Sequence, residues 1–303
     1  MGSIFNALLG ISRGPFLLLP VTLIASGAAA AAWDDPGSLS WPATVLALIG
    51  LLGLHIGVNA LNEAGDMQSG IDLRTQRTPF SGGSGTLPAG RLTVPFARLW
   101  GFGATAIGLI VGVWFLVRLG WIILPLLLFG ALAVLLYTPL WLRLGVGEVF
   151  AGLGLGALPV MGAALVQDGH LGSAAIAASI PAFFMTFNLL LLNEFPDEAA
   201  DRAGGRRHLV ILLGRRGAAG VYVAAVLAVP ISIILAVLLR GLPPLALIAV
   251  LPTLLAVAAL RWAATGPARP VPMAALGGNV AWNLATNALL AAALAFAAWR
   301  MAT

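Results

Sequence analysis

The segment G-S-A-A-I-A-A-S-I-P-A-F-F-M-T-F-N-L-L-L-L-N, Gly172 to Asn193, runs 22 residues without a charge and then meets E-F-P-D-E-A-A-D, Glu194 to Asp201. About 20 apolar residues in a helix cross the hydrocarbon of a bilayer. The stretch therefore reads as a membrane span with a dense acidic patch at one mouth. Continuous apolarity excludes a barrel strand, which alternates apolar and polar residues over about 10 positions.

The whole chain has this character. Of 303 residues, 60% are hydrophobic and 9% charged, against about 25% charged in a soluble domain. Nine apolar stretches fit a spanning helix, near residues 15–33, 41–62, 95–117, 120–141, 147–167, 172–193, 217–239, 244–262 and 277–299. The expected fold is an all-α integral membrane bundle of nine transmembrane helices around a cytoplasm-facing central cavity, one domain over residues 1–303. No room is left for a separate soluble domain. The first stretch ends in Ala28 to Ala32 and resembles a cleavable signal. Its apolar run of about 18 residues exceeds the about 7–15 of a signal core, so it reads as a span. With no cysteine, thiolate chemistry and iron–sulfur ligation are excluded.

The basic residues, all arginine, are unevenly divided by these spans. Thirteen of the sixteen fall on the side of the N-terminus, and only Arg118, Arg240 and Arg300 on the other. The positive-inside rule then places the N-terminus and the even-numbered loops in the cytoplasm and the C-terminus across the cell (inner) membrane. The net charge of +5 is accounted for by this topology, so the bilayer is the expected partner and nucleic acid is not.

Seven of the eleven acidic residues lie in two segments: Glu63, Asp66 and Asp72 after the second span, and Glu194, Asp197, Glu198 and Asp201 after the sixth. Both begin with the same pattern, Asn62-Glu63-x-x-Asp66 and Asn193-Glu194-x-x-Asp197. Spacings of three and four bring such residues onto one helical face. Carboxylates crowded at the edge of hydrocarbon repel one another, and a divalent cation relieves that cost. Mg²⁺ takes oxygen ligands, commonly one or two carboxylates plus substrate phosphates. Two facing clusters would hold Mg²⁺ with a diphosphate between them. Arg74, Arg77, Arg202, Arg206 and Arg207 flank the clusters, and a guanidinium matches phosphate oxygens in bidentate fashion. The motif loops span residues 63–94 and 194–216. Within the first, Phe80 to Gly90 reads as a flexible glycine-rich loop able to cover a diphosphate, though it is no Walker loop.

These motifs, with a further Gly70-x-Asp72 and with Asp201 four residues after Asp197, in a nine-span chain, resemble the UbiA superfamily of intramembrane prenyltransferases. The run G-G-R-R-H-L-V-I-L-L-G, Gly204 to Gly214, and Gly147-Glu148 look most like its 1,4-dihydroxy-2-naphthoate branch, which serves menaquinone synthesis. The resemblance implies Mg²⁺ as cofactor, held by Asn62, Glu63, Asp66 and Asp72 on one side and Asn193, Glu194, Asp197 and Asp201 on the other. It implies Asp66, Asp197 and Tyr137 as catalytic and Arg74, Arg77, Arg206 and Arg207 as diphosphate-binding. The implied substrates are an isoprenyl diphosphate and a small aromatic or quinone-precursor acceptor. Glu63 stands where the family usually has Asp, and Pro196 is expected to kink or restart its helix.

His55, Asn59 and Asn62 share one helical face leading into the second span, so His55 and Asn59 are candidates for the acceptor wall, with Asn188 of the sixth span opposite. Glu148 suits a helix N-terminus. Asn279, Asn283 and Asn287 read as a packing stripe, His170 and His208 as solvated loop residues, and Trp33, Trp41, Trp100, Trp121, Trp141, Trp262 and Trp299 as an interfacial belt. Two other functions share parts of this pattern. A membrane terpene cyclase would keep the metal site and dispense with the acceptor. An ion-coupled transporter would place its acids near the midplane, whereas here they gather at one interface.

Overall fold

The computed structural model describes residues 2–303, and among them every regular element is helical. A short helix α1 (Gly2–Ile11) precedes the bundle. The spans are α2 (Leu18–Asp34), α3 (Trp41–Ser69), α4 (Val94–Leu119), α5 (Leu124–Leu135), α6 (Gly147–Asp168), α7 (Ser173–Ala203), α8 (Leu209–Leu238, with a kink at Gly214, φ 69°, ψ 164°, that sets off its first residues), α9 (Pro244–Thr265) and α10 (Met273–Ala302). By length and apolarity alone eight helical stretches qualify to cross a membrane, because Val94–Leu135 is continuous. That stretch is two crossings: at Gly120 the backbone turns to φ 73°, ψ −158°, which no helix adopts. The nine expected spans are thus present as α2 to α10.

Small residues let these helices approach closely. A Cβ on Gly53 would lie 2.7 Å from the Ala104 carbonyl oxygen, and one on Gly57 would strike the Thr105 hydroxyl, so α3 and α4 touch backbone to backbone, the packing expected where lipid supplies no hydrophobic drive between helices. The outer faces present Leu99, Ile110, Val117, Leu128, Leu238 and Leu254. The asparagine stripe is a packing feature as read. Tyr222 Oη donates to Asn279 Oδ1 at 3.0 Å, and Asn287 Nδ2 to Asn283 Oδ1 at 2.9 Å, all of these residues being buried.

Several local expectations are corrected. The acid motifs are helical: α3 continues to Ser69 and α7 to Ala203, so Glu63, Asp66 and Glu194 to Asp201 ride on the last turns of long helices, and the loops begin later than residues 63 and 194. Helix α7 runs on through Pro196 without restarting, since proline forfeits one backbone bond and surrounding packing holds the rest. Trp262 leaves the belt. It is buried against Phe195, ring centroids 4.8 Å apart, and its Nε1–H donates to the Arg269 carbonyl at 3.1 Å. His170 is exposed as expected, whereas His208 is 1% exposed and lies in the site described next.

Candidate active site

The C-terminal turns of α3 and α7 meet at one end of the bundle, which brings the two acid motifs together. The residue that joins them is Arg206, in the connection between α7 and α8. Its Nη1 donates to Asp201 Oδ1 at 2.9 Å, and its Nη2 pairs with Asp66 Oδ1. With its amide oriented to satisfy both groups, Asn62 accepts from Arg206 Nη2 at 2.9 Å and donates to Asp66 Oδ2 at 3.3 Å. Burial works against the guanidinium charge, and Asp66 and Asp201 overcome it, holding the Arg206 pKa above its ordinary value. The cation is therefore permanent.

These groups line a cavity of about 530 Å³, together with Asp72, Asn193, Glu194, Asp197, Arg13 and Tyr137. Several of its oxygens are buried and without a hydrogen-bond partner: Asp72 Oδ2, Asn193 Oδ1, Glu194 Oε2, Asp197 Oδ1 and Asp201 Oδ2. Burying unpaired carboxylate oxygens is costly, so this oxygen-only, anionic donor set fits a hard cation such as Mg²⁺. Among the described residues, no three acidic or histidine side chains already close around a single point. Burial, and then the neighbouring Asp66 and Glu63 charges, push the Asp72 carboxyl up to about 7, so near neutrality proton and metal compete for it.

The glycine-rich segment is ordered over this cavity. Gly82 N–H donates to Asp197 Oδ2 at 3.0 Å, and Ser84 donates to Glu63 through both its N–H and its Oγ–H, each at 2.6 Å. Left-handed backbone at Gly82, Gly83 and Gly85, φ between 72° and 78°, makes this turn accessible only to glycine at low cost. The sequence reading of Phe80 to Gly90 as a flexible loop missed that both acid clusters hold it.

A second cavity of about 710 Å³ adjoins the first and shares Arg13, Asn62, Tyr137 and Asn193 with it. His55 and Asn59 line it beside Phe16, Leu19, Val58 and Leu155. His55 Nε2 is buried without a partner, and Asn59 Nδ2 donates to the Ser12 carbonyl at 3.1 Å. One turn further along α3, Leu51 and Leu54 line a third, apolar cavity of about 650 Å³.

Other expected site residues lie elsewhere. Asn188 is fully buried between helices, its Nδ2 donating to the Tyr222 carbonyl at 3.1 Å, so it ties α7 to α8 and does not line the acceptor wall. Arg74, Arg77 and Arg207 are exposed and do not line the acidic cavity. Glu148 is buried in the first turn of α6, with Oε1 accepting from Leu209 N–H at 2.6 Å where α8 begins, and its carboxyl adjoins that of Glu194 at the site. His208 was read as solvated and is instead wedged between Glu194 (Nδ1 to Oε2, 3.8 Å) and Asp201 (Nε2 to Oδ2, 3.4 Å). Arg13 was read only as a topological charge, yet it borders both cavities and lies 3.6 Å from Glu63. Its one sequence signal is isolation, as the only charge before Trp33.

Comparison with known proteins agrees with this architecture. The model of the UbiA prenyltransferase family matches residues 18–273. The 1,4-dihydroxy-2-naphthoate octaprenyltransferase of Bacillus subtilis (strain 168) is 28% identical over 178 residues, 56% of this chain and 55% of that protein, so the match spans about half the length of the relative. A UbiA homolog from Aeropyrum pernix K1 superposes with a TM-score of 0.67 at 18% identity, over 90% of this chain and 96% of that one. A UbiA homolog from Archaeoglobus fulgidus bound to GPP and Mg²⁺ gives 0.66 at 15% identity, over 97% and 98%. At such identities these two likenesses speak for the fold.

Proposed function

Because the chain belongs to the UbiA prenyltransferase family, we propose that it transfers a prenyl group from an allylic isoprenyl diphosphate to a small aromatic acceptor at the cavity between α3 and α7, releasing diphosphate. The observation that carries this reading is the meeting of two carboxylate clusters around Arg206, with residues of both lining one cavity and keeping buried oxygens without a hydrogen-bond partner. Asp66, Asp72, Asn193, Asp197 and Asp201, with Asn62 and Glu194 beside them, would hold Mg²⁺. When bound, the metal supplies Lewis-acid neutralisation of the leaving diphosphate.

The chain's own groups do the remaining work. Arg206 and Arg13 present fixed cations to the phosphate oxygens, and charge that is pre-placed costs no reorganisation as the carbon–oxygen bond breaks. Tyr137 borders both the acidic and the acceptor cavity, which supports a role for its ring beside the allylic cation, since an aromatic face stabilises a cation. Phe16, Leu19, Val58 and Leu155 make the neighbouring wall apolar, which excludes the water that would otherwise trap the cation. His55 and Asn59 give that wall its polar groups, with His55 Nε2 free to take a hydroxyl hydrogen of the acceptor. The ring carbon that gains the prenyl group loses either its proton, to the released diphosphate, or a carboxylate as carbon dioxide, and the electron pair of the broken bond restores aromaticity. The apolar cavity lined by Leu51 and Leu54 accommodates the tail. The Bacillus subtilis relative makes a 1,4-dihydroxy-2-naphthoate-like compound the first acceptor to try. From the arginine distribution, the N-terminus and the site face the cytoplasm and the C-terminus lies across the membrane.

The polar groups of the second cavity favour an acceptor over a terpene cyclase, which needs apolar walls throughout. Purified protein with Mg²⁺, labelled allylic diphosphates of several lengths and a panel of aromatic acceptors separates the two. Acceptor-dependent diphosphate release with a prenylated product is expected. Release without acceptor, giving a cyclic hydrocarbon, would overturn the transferase reading.

A further inference from the structure

Glu63 sits in the first acid motif but, unlike Asp66 and Asp72, stands back from the acidic cavity. It is fully buried, and both of its oxygens are engaged: Oε1 by Ser84 N–H and Oε2 by Ser84 Oγ–H, each at 2.6 Å, with Arg13 Nε 3.6 Å from Oε1. The Ser84 hydroxyl oxygen in turn accepts from Thr86 N–H at 3.1 Å. Asp72, Glu194, Asp197 and Asp201 each keep an unpartnered oxygen and Glu63 keeps none; Asp66 keeps none either, its oxygens being taken by Arg206 and Asn62, but Asp66 lines the acidic cavity. Glu63 does not, although Arg13 and the Gly82–Gly83 turn do. Arg13 is held there in a left-handed backbone, φ 51°, between α1 and α2, a conformation that a residue with a Cβ keeps only when its surroundings fix it.

The geometry points to Glu63 as a positioning residue: it seats Arg13 and the Gly82–Ser84 strap at the diphosphate cavity and does not ligate the metal. The strap links the two clusters, since Ser84 is fixed on Glu63 of α3 while Gly82 N–H reaches Asp197 of α7 at 3.0 Å. Occupying one Asp197 oxygen in this way leaves the other for the cation. Glu63 therefore acts on anion binding through Arg13 and the strap, two elements drawn from segments far apart in sequence. The proposal rests on the diphosphate reading for its ligand, while its statement about the strap stands by itself.

The test uses the full chain with Mg²⁺ and inorganic pyrophosphate as the probe, alongside limited trypsin digestion at the exposed Arg77 and Arg91 that bracket the strap. In Glu63→Gln, the carboxamide offers one acceptor oxygen to two Ser84 donors and loses the charge facing Arg13. Pyrophosphate affinity at saturating Mg²⁺ is expected to fall about tenfold, the Mg²⁺ concentration for half-maximal binding to stay unchanged, and strap cleavage to speed up about tenfold as its open population grows. Ser84→Ala keeps the carboxylate and is expected to show the same pattern at about threefold, and it carries the test if Glu63→Gln does not fold. The proposal is overturned if raising Mg²⁺ restores Glu63→Gln binding while strap cleavage is unchanged, since Glu63 is then a ligand. It is also overturned if Ser84→Ala matches the parent in both assays. Should the parent protein itself fail to bind pyrophosphate, the diphosphate reading fails, and the trypsin arm alone still decides whether Glu63 holds the strap.

Discussion

Replacing Arg206 with alanine removes a side chain that pairs with both acid clusters. Its side chain is 16% exposed, and its partners Asp66 and Asp201 are 7% and 1% exposed. Taking one partner from a buried ion pair costs about 3–5 kcal/mol, because the other charge is left uncompensated. The slight exposure of Arg206 lets some water reach the gap, so about 3 kcal/mol is expected for Arg206→Ala in metal-free buffer. Arg206→Lys keeps a charge, but one ammonium cannot fork between two carboxylates as a guanidinium does, and about 1 kcal/mol is expected. The assay is unfolding of the purified protein in mixed micelles, with EDTA and with Mg²⁺. The alanine deficit should shrink in Mg²⁺, because the orphaned carboxylates regain a counter-ion. Equal stability of Arg206→Ala and the parent in EDTA would refute the bridging role, and a deficit untouched by Mg²⁺ would refute the shared cation site.

Asp72 sets a pH dependence. Its folded-state pKa of about 7 lies above the unfolded 3.8, so the folded protein holds the extra proton between these values, and its metal-free stability should decline as pH rises from about 4 to about 7. Mg²⁺ needs the carboxylate, so the apparent Mg²⁺ affinity should rise over the upper part of that window and level off above it, readable by titration at a series of pH values. Gly83→Ala forces a side chain into φ 72° with its Cβ 2.7 Å from Asp72 Oδ1, whereas Gly90→Ala takes φ 66° with nothing within 4 Å. Thermal unfolding should show a loss of about 1–2 kcal/mol at Gly90 and a larger one at Gly83. His55→Ala should raise the acceptor KM while leaving the KM for the allylic diphosphate near its parent value, which steady-state kinetics will distinguish.

Much of the architecture was legible in the sequence because hydrophobicity and charge are written locally. Nine apolar runs, the biased arginines and the repeated Asn-Glu-x-x-Asp pattern need no tertiary information, and Arg206 was reached through its proximity to the second motif. What escaped depends on contacts distant in sequence. Ser84 meets Glu63 from 21 residues away, and Arg13 meets it from the far side of α2, so each reads alone as a loop hydroxyl and a topology charge. His208 follows Gly204-Gly205-Arg206-Arg207, which reads as a solvated turn, and burial came from α7 folding its carboxylates over it. Asn188 and Asn59 are the same residue type at membrane depth, and only the helix facing each one decides whether it packs or lines a cavity.

The central claim, that the clusters on α3 and α7 form one Mg²⁺-dependent diphosphate site, is tested most directly by the rate of diphosphate release from geranyl diphosphate in the presence of acceptor. The parent protein should show Mg²⁺-dependent release, and Asp66→Asn and Asp197→Asn should each lose at least about a hundredfold in rate while remaining folded. Full activity in both variants, or release by the parent protein in EDTA, would contradict the account.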